Sequence, residues 1–358
     1  MQSVSTVYLM SFFSDSFHDK DKLKEVFLKV SDLNLSSNVH CQISNDHVTL
    51  LWLLEDHGSC LVEKYPSGLI TLKHTVHEYG RSLNPFRFLT AFKDIEQHLN
   101  STKSKYLPGI RLGDPVDCYW PTSTGCLVEY DFDEYLVNER SNFQDVKIAN
   151  SKQYGRVLLL DGDVNLAESD LAYTRAITGN DRYNFDGSDV LVLGGGDGGI
   201  LHYLLQKNVK FVTMLEIDPV VIDGAKRFMR RCCGDSMDNL KGERYEVLVE
   251  DCVPLLKKYI EDGRQFDFVV NDLTAIPIGG ENSNDWDFFL RILNDSLTLL
   301  SPNGRYFTQG NGFNRVKDLQ RYEHMILNEL QFKLSFKKEN VCVPSYLEMW
   351  VFYEIWKS

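Results

Sequence analysis

From Asp189 onward the sequence alternates strand-sized apolar runs with amphipathic helical ones, and no other feature limits the possible folds so tightly. "DVLVLGGG" leads into "GGILHYLLQK", "FVTMLEID" into "PVVIDGAKRFMRR", and "YEVLVED" into "CVPLLKKYI", with Pro219 suited to a first helical turn. The series continues through "FDFVVNDL", a helix over "DWDFFLRILNDSLTLL", the strand "GRYFTQG" and a helix over "VKDLQRYEHMILNEL". It closes on two β-rich runs, "ENVCVPS" and "YLEMWVFYEIW". Parallel neighbours need a crossover, usually a helix, so this repetition predicts a doubly wound α/β sheet of the Rossmann-like type over residues 173–358.

Upstream the pattern is different. Residues 1–110 read as a small α+β domain, with Leu23, Val26, Phe27 and Val30 on one helical face and Phe88, Phe92, Ile95 and Leu99 on another. "HVTLLWLL" reads as a strand, and "CLVEKY" and "LITLKH" as a hairpin turning at "PSG". "NSTKSKYLPGIRLGDPVD", from Asn100 to Asp117, has Ser, Gly and Pro but little periodicity and reads as a linker. A small antiparallel β domain is expected over 118–172, its sheet ending near Asp163, followed by a short helix at "ESDLAYTRAI".

Within the α/β region the loop "VLGGGDGGIL" contains Gly194-x-Gly196-x-x-Gly199, with Glu216 twenty residues on, which is the spacing of a dinucleotide fingerprint. Asp197 contradicts that reading, because a loop that cradles pyrophosphate has no use for an anion. Ligands of open α/β sheets bind beyond the carboxyl ends of the strands. In this chain those ends carry Asp197, then Glu216 and Asp218, then Glu250 and Asp251, then Asp272. Several carboxylates converging on one cleft disfavour a dehydrogenase and favour a phosphate-free nucleoside bearing a cation, such as S-adenosylmethionine or a relative. Glu216 is placed to accept both ribose hydroxyls, and Asp251 with Cys252 to read the adenine amine. Asp197 and Asp272 would flank the reaction centre, aligning an amine and accepting its proton. Tyr173, Tyr346 and Glu348 supply the rings and acid that a polyamine tunnel requires, whereas Trp350 reads as core. Each of these acids taken singly is as well explained as a helix cap.

The net charge of -13 argues against nucleic acid or an anionic membrane as partner. The eight cysteines are scattered, with no C-x-x-C pair and no zinc-ligand spacing, so they read as reduced thiols of a cytoplasmic protein. The opening "MQSVSTVYLMSFFSDSF" has no basic residue before Lys20 and does not read as a secretory signal, and no apolar run is long enough for a membrane span.

"YWPTSTG", "LLLDGDVNLAESDLAYTRAI", "VLGGGDGGIL", "MLEIDPVVIDG", "VEDCVPLLKKY", "NDLTA", "YFTQGN" and "VCVPSYLEMWVFY" together resemble the aminopropyltransferases, the spermidine and spermine synthase family. The resemblance runs from about Cys118 to the end and more faintly before it. It implies transfer of an aminopropyl group from decarboxylated S-adenosylmethionine, a co-substrate, to spermidine, giving spermine and methylthioadenosine without metal or other cofactor. It implies a methyltransferase-type sheet, an N-terminal domain similar to S-adenosylmethionine decarboxylase, and a homodimer formed through that domain. Carried over by position, Asp272 would be the proton acceptor and Asp197 would hold an amine at the reacting end. Gln144, Glu216, Asp251 and Cys252 would bind the nucleoside, and Tyr173, Tyr346 and Glu348 the polyamine. Where spermidine synthases read D-S-S-D, this chain has Asp272-Leu273-Thr274-Ala275, and the missing second acid implies a longer acceptor than putrescine. The alternatives are activity on another polyamine acceptor, an S-adenosylmethionine-dependent methyltransferase, and a silent polyamine-binding protein.

Overall fold

The computed structural model describes residues 4–14, 19–36, 38–44, 46–55, 58–78, 85–278 and 284–358. The chain divides into two compact units, residues 1–115 and 116–358.

The first unit is built on an antiparallel sheet of β1 (Val4–Phe13), β2 (His40–Ser44), β3 (His47–Leu53), β4 (Ser59–Lys64), β5 (Leu69–Glu78) and β6 (Lys103–Leu112), in the order β2-β3-β4-β5-β1-β6. Strict alternation buries Val48, Leu50 and Trp52 of β3 and Cys60 and Val62 of β4. They pack against Leu23, Val26 and Phe27 of α1 (Lys20–Leu28) and Phe88 and Ile95 of α2 (Pro85–His98). The hairpin expected at "PSG" joins β4 to β5. The linker expected over 100–117 is overturned, because ten of its residues form β6, antiparallel to β1 at the sheet edge. Two features hid the strand. Its residues are mostly exposed, so no apolar alternation marks it. Pro108 and Gly109 also form a bulge opposite Tyr8, where the register slips between Val7 and Leu9.

The second unit opens with a short hairpin, β7 (Tyr119–Pro121) and β8 (Leu127–Glu129). An antiparallel sheet follows, of β9 (Phe132–Arg140), β10 (Asp145–Ser151), β11 (Gly155–Leu160) and β12 (Asp163–Ala167). The sheet therefore ends at Ala167 and not near Asp163, since "DVNLA" pairs back on β11. The short helix expected next is α3 (Leu171–Ile177).

The large sheet is formed in chain order by β13 (Asp189–Gly194), α4 (Gly199–Leu205), β14 (Phe211–Glu216), α5 (Pro219–Phe228), α6 (Arg230–Cys233), β15 (Lys241–Gly242), β16 (Tyr245–Val249) and α7 (Cys252–Glu261). β17 (Phe266–Asp272), α8 (Asn284–Leu299), β18 (Leu300–Gly312), α9 (Val316–Asn328), β19 (Leu334–Val343) and β20 (Glu348–Lys357) complete it. The strand order is β15-β16-β14-β13-β17-β18-β20-β19, parallel from β16 to β18 and antiparallel at both ends. Alternate residues of β13 serve opposite cores. Val190 and Val192 pack with α3 and α4, Leu191 and Leu193 with α7, α8 and α9. Such a two-sided strand must read as a continuous apolar run. β13 pairs with β14 on one edge and with β17, which the chain reaches only after β16 and α7, on the other, so the winding reverses at β13 and the switch point of the sheet falls at the glycine loop. Among the described residues no helix is long and apolar enough to cross a membrane.

Candidate active site

A cleft of about 220 Å³ opens at that switch point, between the strand ends of the large sheet and the antiparallel sheet before it. Gly194, Gly195, Gly196 and Asp197 form one wall, Glu216 and Gln144 lie at one end, and Asp272 and Tyr173 at the other. Five of the residues expected from sequence are thus brought together.

The glycine loop serves carboxylates. A Cβ on Gly196 would stand 2.7 Å from Glu216 Oε2, and one on Gly199 2.8 Å from Asp197 Oδ1. These two glycines therefore leave room for acidic groups where a dinucleotide loop leaves room for pyrophosphate. Glu216 is fixed through both oxygens, Oε2 accepting from Gly196 N at 2.9 Å and Oε1 from Asp218 N at 2.8 Å. Burial pushes its carboxyl up to about 7 despite those two bonds, and the charges of Asp197 and Asp218 push the same way. Asp197 accepts from Gly199 N at 2.7 Å and is otherwise held by burial, which raises its pKa.

At the other end the Tyr173 hydroxyl donates to Asp272 Oδ1. Asp272 is raised well above the usual carboxylate range by burial first and then by the nearby charges of Asp197 and Glu216, with the Tyr173 hydrogen bond opposing them. Asn271 turns away from the cleft, its amide donating to Tyr306 Oη at 2.8 Å while its carbonyl accepts from Leu273 N at 3.3 Å, so the backbone after β17 is anchored to β18. Tyr173 and Tyr346 meet edge to face, ring centroids 6.1 Å apart.

Other expected residues lie farther out. Asp251 is exposed and caps α7 through Val253 N at 2.9 Å, and Cys252 is buried with its thiol pushed up to about 12, mainly by burial. Neither encloses the cleft. Tyr346 gives its hydroxyl to Asn165 O at 2.6 Å, and Glu348 accepts from Ser123 N at 3.2 Å and Ser123 Oγ at 2.6 Å. Trp350 Nε1 donates to Gln309 Oε1 at 3.1 Å.

Some of the site is invisible to sequence reasoning. Asp170, 1% exposed, accepts from Ala167 N, Ser345 N and Ser345 Oγ, and Ser345 O accepts from Tyr130 Oη, so Asp170 seats the turn carrying Tyr346 beside α3. Asn165, Thr274 and Phe288 also line the cleft. Asp218 before Pro219 has the signature of a helix cap, and it does cap α5 through Val220 N, but its contacts across the cleft wall have no local signal.

The spermine/spermidine synthase domain matches residues 171–358, more than half of the chain. The chain belongs to the spermine/spermidine synthase family. The spermidine synthase tetramerisation domain matches residues 119–168, the antiparallel segment ahead of the large sheet. A polyamine aminopropyltransferase of Pyrobaculum arsenaticum is 30% identical over 247 residues, covering 68% of this chain and 81% of that protein. The spermine synthase of Saccharomyces cerevisiae is 32% identical over 181 residues, 48% of this chain and 57% of its own length. In fold, spermidine synthase from Thermotoga maritima superposes with a TM-score of 0.54 at 17% identity, over 67% of this chain and 78% of that one. A spermidine synthase solved with the transition-state analogue AdoDATO gives 0.55 at 18%, over 67% and 79%. The chain therefore belongs to the aminopropyltransferase family of polyamine biosynthesis, whose co-substrate is decarboxylated S-adenosylmethionine, and has the methyltransferase-like fold.

Proposed function

We propose that this aminopropyltransferase is a spermine synthase, moving the aminopropyl group of decarboxylated S-adenosylmethionine to spermidine to give spermine and 5'-methylthioadenosine. The observation that carries the chemistry is Asp272, a carboxyl raised by burial and by the nearby charge of Asp197, with Oδ1 held by Tyr173 and no donor to Oδ2 among the described residues. Ionising two such buried carboxyls is costly until cations arrive, and a sulfonium and an ammonium are the cations this reaction supplies. As they bind, both carboxyls ionise and their protons pass to solvent. Asp272 then takes the proton of the acceptor ammonium. The freed lone pair attacks the methylene beside sulfur, the carbon–sulfur bond breaks, and its electron pair leaves sulfur as a neutral thioether.

In the same reading Asp197 holds the amine of the donor, and Gln144 and Glu216 bind its nucleoside, with Asp251 and Cys252 assigned to adenine. Tyr173, Tyr346 and Glu348 line the path of the acceptor. Spermidine is favoured over putrescine by Ala275, which stands where spermidine synthases carry a second acid, and by the likeness to the yeast spermine synthase. The N-terminal unit would resemble S-adenosylmethionine decarboxylase and pair subunits into a cytoplasmic homodimer. The test is to supply decarboxylated S-adenosylmethionine with putrescine, spermidine or spermine separately and to measure methylthioadenosine release. Preference for spermidine is expected. Preference for putrescine makes the chain a spermidine synthase, and S-adenosylhomocysteine release from S-adenosylmethionine makes it a methyltransferase.

A further inference from the structure

Asp218 is 0% exposed and both of its carboxylate oxygens accept hydrogen bonds. Its Oδ1 accepts from Val220 N at 3.0 Å, which caps α5. Its Oδ2 accepts from Ser141 Oγ at 2.7 Å and from Gln144 Nε2 at 3.0 Å, both in the turn between β9 and β10, 77 and 74 residues away in sequence. Its own N–H donates to Glu216 Oε1 at 2.8 Å. An ionised carboxylate only accepts, so the Gln144 amide has one permitted orientation: the NH₂ faces Asp218 and the carbonyl oxygen is turned to the cleft that Gln144 lines. Among the described residues none donates to that oxygen.

We infer that Asp218 is a positioning residue for the donor nucleoside, locking the amide of Gln144 so that the nucleoside end of the cleft presents acceptors only. With the neighbouring N–H groups of Gly196 and Asp218 spent on Glu216, and Glu216 ionised in the complex, the oxygens of Glu216 and Gln144 are the acceptors that face a ligand at this end among the described residues. Such a surface suits a ligand that brings hydroxyl donors and no anion there. The inference rests on the reading that the cleft takes an adenosyl nucleoside.

Asp218→Asn separates this role from helix capping, since Asn caps about as well as Asp. An Asn at 218 offers NH₂ towards Gln144, which lets the Gln144 amide flip and place a donor where an acceptor stood. Methylthioadenosine affinity, measured by calorimetry on the full chain, is expected to fall about tenfold or more. The KM for the donor should rise while that for the polyamine and kcat change little. Adding Gln144→Glu to Asp218→Asn restores an acceptor to the cleft and should recover most of the loss. Gln144→Glu alone should not help, because two carboxylates would then face each other. A fold defect in Asp218→Asn cannot be cured by a second change at Gln144, so recovery decides the matter even if stability drops. Wild-type affinity in Asp218→Asn, or no recovery in the double variant, overturns the inference and leaves the functional reading intact. A wild-type chain that binds no methylthioadenosine overturns both.

Discussion

The two ends of the cleft spend their acidic groups differently. At the Glu216 end both carboxylate oxygens are tied to backbone N–H groups, and the next acid, Asp218, is tied to a cap, a serine and an amide. At the Asp272 end Tyr173 donates to Asp272 and Gly199 N to Asp197, each at a single oxygen, and burial raises both carboxyls as it also raises Glu216. The first end is arranged before the ligand arrives and fits groups whose charge does not change in the reaction. The second is left electrostatically unsatisfied and is completed by substrate cations. Preorganisation serves recognition in one place and a waiting base serves proton transfer in the other.

The comparison is broken most severely at Asp272. Asp272→Asn should lower turnover by about 10²-fold or more with methylthioadenosine affinity nearly unchanged, read by steady-state kinetics and calorimetry. Near-normal turnover would remove it from the base role. Asp197→Asn is expected to weaken the amine-bearing donor by roughly ten- to a hundredfold and methylthioadenosine, which lacks the amine, far less; equal weakening would reduce Asp197 to a loop-shaping residue.

Gly196→Ala should do the reverse. Its Cβ displaces Glu216, so nucleoside affinity drops about tenfold and stability by roughly 1–3 kcal/mol. Tyr173→Phe removes the hydrogen bond that lowers the Asp272 pKa, so the acid limb of the kcat profile should move to higher pH with a few-fold loss at neutrality. The smallest effect is on stability against pH. Glu216 has a folded-state pKa of about 7, above its ordinary 4.5, so the folded chain holds the extra proton. Its contribution is full below pH 4.5 and is lost as pH rises through 7, up to about 3 kcal/mol in the empty protein. Glu216→Gln should flatten that window in thermal denaturation, while methylthioadenosine, which favours the ionised form, should bind the wild type better as pH rises through it.

Legibility in the sequence followed how local each signal is. β13, buried on both faces, could be read at once, and so could the α5 start at Asp218-Pro219. β6 could not, because an edge strand with exposed lysines and a Pro-Gly bulge carries no periodic apolar mark. The same limit applies to the site. Asp197, Glu216 and Asp272 stand at strand ends that a regular β-α series makes predictable, whereas Asp170 reaches Ser345 across 175 residues and Ser123 reaches Glu348 across 225.

The sequence by itself determined the switch-point sheet, the acid inside its glycine loop and the family. Those follow from hydrophobic period and from residue type at positions set by short-range geometry. Only the tertiary structure decided which oxygens remain available. It tied Asp218 to Gln144, aimed Tyr173 at Asp272, and turned Asp251 outward to cap α7. Hydrogen bonds between residues far apart in the chain depend on where whole elements pack, and no local pattern encodes that.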